Sequence, residues 1–303
     1  MFNLNHLLSK FPEGIIEAYF YINNEFRYSG FVKRVKKELR QSGNKEYINY
    51  ADSLNVLKFG DRYNTNWGRK YKHFSIKIQY DYDCPFYLYQ RKYKMYLPND
   101  WSKSKCKRYI RSILEEQDCE SPHCYLENNL LSRISKGTVL DIGTAEGNFG
   151  LDVLDSSSKL YLFECDNDFC GTLRHTFEHS MKDGKVVLVS KYVTDKSKDG
   201  CISIDDYFCD DMPRDVSLIK MDIEGAEQKA LKGMKKLLEL NPQAILLICI
   251  YHTQSAETEI REILHDYDIH VRKGYFLLPE FGEQKYPYIR HAVLEARKKE
   301  DNH

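Results

Sequence analysis

The chain has 303 residues, 42% of them hydrophobic, and no formal net charge at pH 7, which suits one large domain or a catalytic domain with a smaller addition and excludes a mainly disordered chain. No apolar run approaches the roughly 18 uncharged residues of a membrane-spanning helix, and Met1–His6 has no basic start followed by an apolar core, so the expected location is the cytoplasm. Charge is uneven: residues 1–118 hold 22 lysines and arginines against 13 aspartates and glutamates, an excess that suits an anionic partner or, preferably, adhesion to the acidic remainder.

In chain order, Ile15–Tyr21 and Phe31–Leu39 have mixed helical spacing. His73–Tyr80 alternates with period two, as a half-buried strand does. Asp81–Pro85 reads as a turn, with Phe86–Tyr89 and Lys94–Leu97 as returning strands of a small antiparallel sheet. Nine cysteines form neither CxxC pairs nor a Cys/His zinc pattern, so Cys119, His123 and Cys124 are read as ordinary reduced side chains rather than a zinc site.

From Lys136 strands and helices alternate. Thr138–Ile142, Lys159–Cys165, Lys185–Val193, Ser217–Ile223 and Ala244–Tyr251 are the expected strands. Asn148–Leu154, Asn167–Lys182, Ala226–Leu240 and Ala256–Asp266 are the expected helices. Ile269–Lys273 and His291–Ala296 suit a terminal antiparallel hairpin. This alternation implies a mainly parallel sheet covered on both faces by helices. The expected division is an N-terminal α+β region, residues 1–118, followed by a ligand-binding α/β domain, residues 119–303.

Val139-Leu140-Asp141-Ile142-Gly143-Thr144-Ala145-Glu146-Gly147-Asn148-Phe149 carries the strongest signal. A strand runs into Gly143, where the chain must turn tightly, and Gly147 opens a helix; small residues there let the backbone approach a ligand. The third glycine of a dinucleotide fingerprint is missing, and Asp141 would repel a pyrophosphate, which argues against a nicotinamide oxidoreductase. A cationic, amino-acid-like ligand fits better. Glu164, at the end of the next strand, is placed to take both hydroxyls of a ribose. Read singly, Glu164 is a solvated strand end and Asp141 a helix cap; in this order and spacing they point to a cofactor.

Ile202–Phe208, Ser217-Leu218-Ile219-Lys220-Met221-Asp222-Ile223-Glu224-Gly225-Ala226-Glu227 and Ala230–Gly233 together resemble the FkbM-type methyltransferases, over roughly residues 138–275. The resemblance implies a Rossmann-like class I methyltransferase sheet with an N-terminal α+β extension, and S-adenosylmethionine as cofactor. It implies methyl transfer to a hydroxyl, with sugars and glycans as frequent acceptors. Asp141, Gly143, Thr144, Gly147, Glu164 and Asp222 would then contact the cofactor, with Asp222 and Glu224 lining the reaction chamber. Glu116–Asp118, Ser121–Tyr125 and Pro287–Arg290 resemble the members associated with bacterial glycans.

A sugar hydroxyl is a poor nucleophile until its proton begins to leave, so a base helps. His252, just past an apolar strand, is the expected base, with an imidazole near its ordinary pKa; a solvent-facing strand cap is the equal alternative. Asp222 and Glu224 would orient the acceptor or assist His252. They could instead hold a divalent cation, although the metal-free arrangement is preferred. Lys220 shares a strand face with Asp222 by period two, suggesting a buried salt bridge. Expected acceptor contacts are His123, Tyr125, Tyr251 and, from the Asn64–Lys70 loop, Trp67. Another small molecule or an RNA is the alternative acceptor; nucleic acid is disfavoured because no basic stripe stands out. Oligomerisation is a second possible use of residues 1–118.

Overall fold

The computed structural model describes residues 29–54, 67–71, 73–127, 129–134, 136–277 and 285–300. The helical stretch expected at Ile15–Tyr21 lies outside these, as do Asn64, Thr65 and Asn66. Contacts divide the chain into two units, Met1–Phe74 with Leu277–Ile289, and Ser75–Phe276 with Arg290–His303. In the first, residues 29–41 are helical, and Val32, Val35 and Leu39 are buried at the spacing of one helix face. A second helix, Lys45–Ser53, starts where the Asn44 side chain accepts from the amides of Glu46 and Tyr47. Tyr288 donates to Glu38 at 2.8 Å and meets the Phe31 ring edge-on.

The second unit opens with an antiparallel sheet, β1 (Ile78–Asp81), β2 (Cys84–Tyr89) and β3 (Tyr93–Tyr96). The sequence reading sets the domain boundary after residue 118, whereas contacts divide the chain after Phe74. Residues 75–118 join the second unit because their polar groups are used there: Tyr89 donates to Asp152 at 3.1 Å, and the Tyr96 amide donates to Thr176 at 3.1 Å.

The main sheet is built from β4 (Thr138–Ile142), β5 (Lys159–Phe163), β6 (Val186–Val189), β7 (Val216–Met221), β8 (Ile245–Cys249), β9 (Tyr267–Val271) and β10 (Val293–Lys298). Its order is β9-β10-β8-β7-β4-β5-β6, parallel except where β10 runs antiparallel between β8 and β9. This is a Rossmann-like class I methyltransferase sheet with an N-terminal α+β extension. Every residue of β4, β7 and β8 is buried, as expected for parallel strands covered on both faces, whose sequences read as apolar runs.

Two expected helices are broken. Asn167–Lys182 becomes Asn167–Thr176 and Glu178–Lys182, with Phe177 between them. Ala226–Leu240 becomes Glu227–Lys232 and Lys235–Leu240. The second break sits at Gly233, where a Cβ would lie 2.3 Å from the Thr194 carbonyl oxygen. Strand order reverses between β4 and β7, which are neighbours although β5 and β6 intervene in sequence. The crevice at their carboxyl ends is the binding place that such a reversal creates.

Candidate functional site

β4 ends in a loop whose turn needs unusual backbone: Gly143, Ala145 and Gly147 all have positive φ, at 79°, 49° and 89°. A Cβ on Gly143 would lie 1.8 Å from the Asp222 carbonyl oxygen, so glycine is required where the ends of β4 and β7 meet. Gly147 serves helix packing, since a Cβ there would strike Leu173 and Phe177. Thr144 donates its hydroxyl to the Asp141 carbonyl at 3.0 Å and so ties the loop together. Glu164 draws it toward β5: Oε2 accepts from the Ala145 amide, and Oε1 accepts from Cys165 and Asp166, each at 2.8 Å.

Asp141 is completely enclosed, and the β4–β7 register sets it opposite Lys220, whose Nζ lies 3.1 Å from Oδ1. Lys220 therefore pairs with Asp141, and not with Asp222 as period two suggests, because a parallel neighbour comes closer than the next residue but one. Burial raises the Asp141 carboxyl to about 6, against the lowering effect of Lys220. Beyond this ion pair neither Asp141 oxygen finds a hydrogen-bond donor among the described residues. Glu146, in the same loop, is also buried and accepts from the Tyr109 hydroxyl at 2.6 Å. Two buried acids beside a tight turn, with a third at the end of β5, form a donor set that suits a cationic nucleoside such as S-adenosylmethionine. Here Glu164 would face the ribose.

Around Asp222, just past β7, side chains converge from distant segments. Tyr125 donates to Oδ2 at 2.7 Å, and His123 Nε2 is 3.5 Å from the same oxygen. The Tyr251 hydroxyl and His252 Nε2 lie 3.5 and 3.3 Å from Oδ1. Burial alone would raise the Asp222 carboxyl; the imidazoles of His123 and His252, with Lys220, reverse this and hold it well below the usual range. Cys249 lies 3.6 Å from His123 and 3.7 Å from Tyr125, and burial pushes its thiol up. Arg272, itself buried, donates to the Tyr125 carbonyl at 2.9 Å and pairs with Glu127 and Glu295.

His252 lies between two carboxylates, Asp222 on Nε2 and Glu227 3.1 Å from Nδ1. Burial by itself would lower the ring's pKa, but these neighbours raise it to about 10. An imidazolium at neutral pH is not the neutral base that the sequence reading assigns, nor is the ring the solvent-facing alternative. Glu224 is exposed and stands at a positive φ of 55°, its carboxylate 3.6 Å from His252.

Of the expected acceptor contacts, His123, Tyr125 and Tyr251 gather at Asp222. Trp67 is buried in the other unit rather than presented on a loop. Cys119 is exposed and Cys124 buried, both as free thiols. Sequence reasoning missed Glu227, whose Oε1 accepts from the amides of Ile223 at 3.0 Å and Gly225 at 3.4 Å. That carboxylate shapes the turn and faces His252, and its signal was the last letter of the Lys220–Glu227 run. The donor atoms of Asp222, Glu227 and His252, and those of His123, Asp222 and Cys249, each lie within 4.8 Å of one another, a spacing that a cation could also use.

The family model for the methyltransferase FkbM domain matches residues 110–273, more than half of the chain. A search of curated proteins gives no match. Among solved structures, the chain is similar to precorrin-6y C5,15-methyltransferase from Geobacter metallireducens, at 15% identity and a TM-score of 0.37, over 56% of this chain and 86% of that one. It is also similar to an rRNA methylase from Streptococcus thermophilus, at 14% identity and a TM-score of 0.36, over 56% of this chain and 91% of that one.

Proposed function

The chain belongs to the methyltransferase FkbM domain family, and from that premise we propose that this S-adenosylmethionine-dependent enzyme methylates a hydroxyl of a sugar or glycan. The observation that carries the reading is the Asp222 carboxylate ringed by Tyr125, Tyr251, His123 and His252. When bound, the cofactor supplies an electrophilic methyl carbon. Asp222 accepts a hydrogen bond from the acceptor hydroxyl and aims its oxygen in line. As the acceptor oxygen took the methyl group, the bond from that carbon to sulfur would break to leave a neutral thioether, and the hydroxyl would become strongly acidic. Asp222, weak base though it is, would then take the proton and pass it to solvent. His252 acts as a fixed positive charge that keeps Asp222 ionised, and Glu227 orients the ring. The partly exposed ring of Tyr251 suits the C–H surface of a carbohydrate, and Glu116–Asp118, Ser121–Tyr125 and Pro287–Arg290 resemble the glycan-associated members.

The test is incubation with methyl-labelled S-adenosylmethionine and, in parallel, nucleotide sugars, oligosaccharides and RNA. Mass spectrometry should find an O-methylated sugar. Efficient labelling of RNA or another small molecule, with none of any carbohydrate, would overturn the acceptor assignment.

A further inference from the structure

Asp141 is the acid expected to meet the cofactor's cationic end, yet its charge is already matched. It is fully enclosed, with Lys220 at 3.1 Å. Glu146 is the other buried acid of the β4 loop, and it has no ion-pair partner among the described residues. Its own backbone amide is one polar neighbour and favours the ionised form. The Tyr109 hydroxyl, from helix Lys103–Glu116, donates to Oε2 at 2.6 Å. Glu116, at the end of that helix, adds negative charge, and Lys220 on β7 adds a weaker opposing influence. Burial outweighs these donors and raises the Glu146 carboxyl to about 7.

A buried carboxylate without a cation is costly, so the protein either leaves it protonated or reserves it for a positive ligand. The surroundings favour the second. Glu146 stands between two positive-φ residues, Ala145 and Gly147, in a loop whose Ala145 amide already binds Glu164. The half-buried ring of Tyr109 lies beside it and packs against Trp101 at 4.8 Å and Phe169 at 6.1 Å, while Lys105 Nζ stands 4.1 Å over the Trp101 ring. An aromatic ring and a buried carboxylate together suit an ammonium group.

We infer that Glu146, oriented by Tyr109, is the residue that recognises the positively charged methionine end of the cofactor, a task that Asp141 has given up to Lys220. Tyr109 is a positioning residue: its hydroxyl fixes the Oε2 oxygen of the carboxylate. Binding a cation then favours the ionised acid, so the carboxyl gives up its proton to solvent as the ligand enters.

Calorimetry tests this without turnover, using S-adenosylhomocysteine, which keeps the ammonium, and methylthioadenosine, which lacks the whole amino-acid end. Glu146→Gln should weaken S-adenosylhomocysteine by about tenfold to a hundredfold, the range of a lost charge-assisted contact. Methylthioadenosine should change by less than about twofold. In buffers of differing ionisation enthalpy at pH 7, the unaltered protein should release about half a proton on binding S-adenosylhomocysteine. Glu146→Gln should release essentially none, which separates Glu146 from Asp141. Equal losses for both ligands would mark a structural role and overturn the inference. Unchanged affinity for S-adenosylhomocysteine, or proton release that survives the substitution, would overturn it as well.

Discussion

The two halves of the site are built from different material. The half proposed for the cofactor, from Asp141 to Glu164, is mostly main chain: three positive-φ residues in five, and amides of Ala145, Cys165 and Asp166 aimed at one carboxylate. The half proposed for the acceptor is side chain, with Tyr125, His123, Tyr251 and His252 meeting at Asp222, the first two from about a hundred residues earlier in the chain. A site made of backbone tolerates almost no change of residue at its turn. A site made of side chains should lose function in steps, one contact at a time.

The contrast breaks most visibly at Gly143. Gly143→Ala drives a methyl group into the Asp222 carbonyl, and the resulting overpacking should cost roughly 3 kcal/mol or more, read as a lowered thermal midpoint and lost S-adenosylhomocysteine binding. If the variant melts like the unaltered chain and still binds, the loop is not the rigid element described here.

Asp222→Asn should leave S-adenosylhomocysteine bound to within a fewfold while lowering turnover by about a hundredfold or more. Equal loss of binding and turnover would assign Asp222 to the cofactor alone.

The smallest effect is a pH profile. The His252 pKa, raised to about 10 by Asp222 and Glu227, puts the charged ring across the whole neutral range. Turnover should therefore show no His252 inflection near 6.5 and should decline as pH climbs toward 10, where the imidazolium is lost. His252→Ala should remove that alkaline limb. An inflection near 6.5 that disappears in His252→Ala would restore the ring as a neutral base.

Much of the first half was legible in the sequence. Thr138–Ile142 was bounded as observed because a buried parallel strand is an unbroken apolar run, and the acids at 141 and 164 follow from where such strands end. Helix interruptions at Phe177 and Gly233 were not legible, since helical periodicity continues through both and the reason for the second lies in Thr194, far away in sequence. The second half was legible only as a set of residue types. Tyr125, His123 and Tyr251 could be named, but nothing local says that they converge on one carboxylate. The charge state of His252 was missed for the same reason, because it depends on Glu227 and not on the ring's own neighbours along the chain.

Arg272 bears on how this enzyme could be re-engineered. Its guanidinium holds the backbone of Tyr125 from the far end of the sheet, with Glu127 and Glu295 as further anchors. The stretch proposed to face the acceptor is therefore not a detachable cassette. Grafting residues 117–127 from a homologue would exchange Glu127, leaving Arg272 with Glu295 and the backbone carbonyl at position 125, so positions 272 and 295 should travel with it. The unit of exchange in such a chimera spans both termini of the catalytic sheet, and crossover points drawn from sequence alone would cut through it.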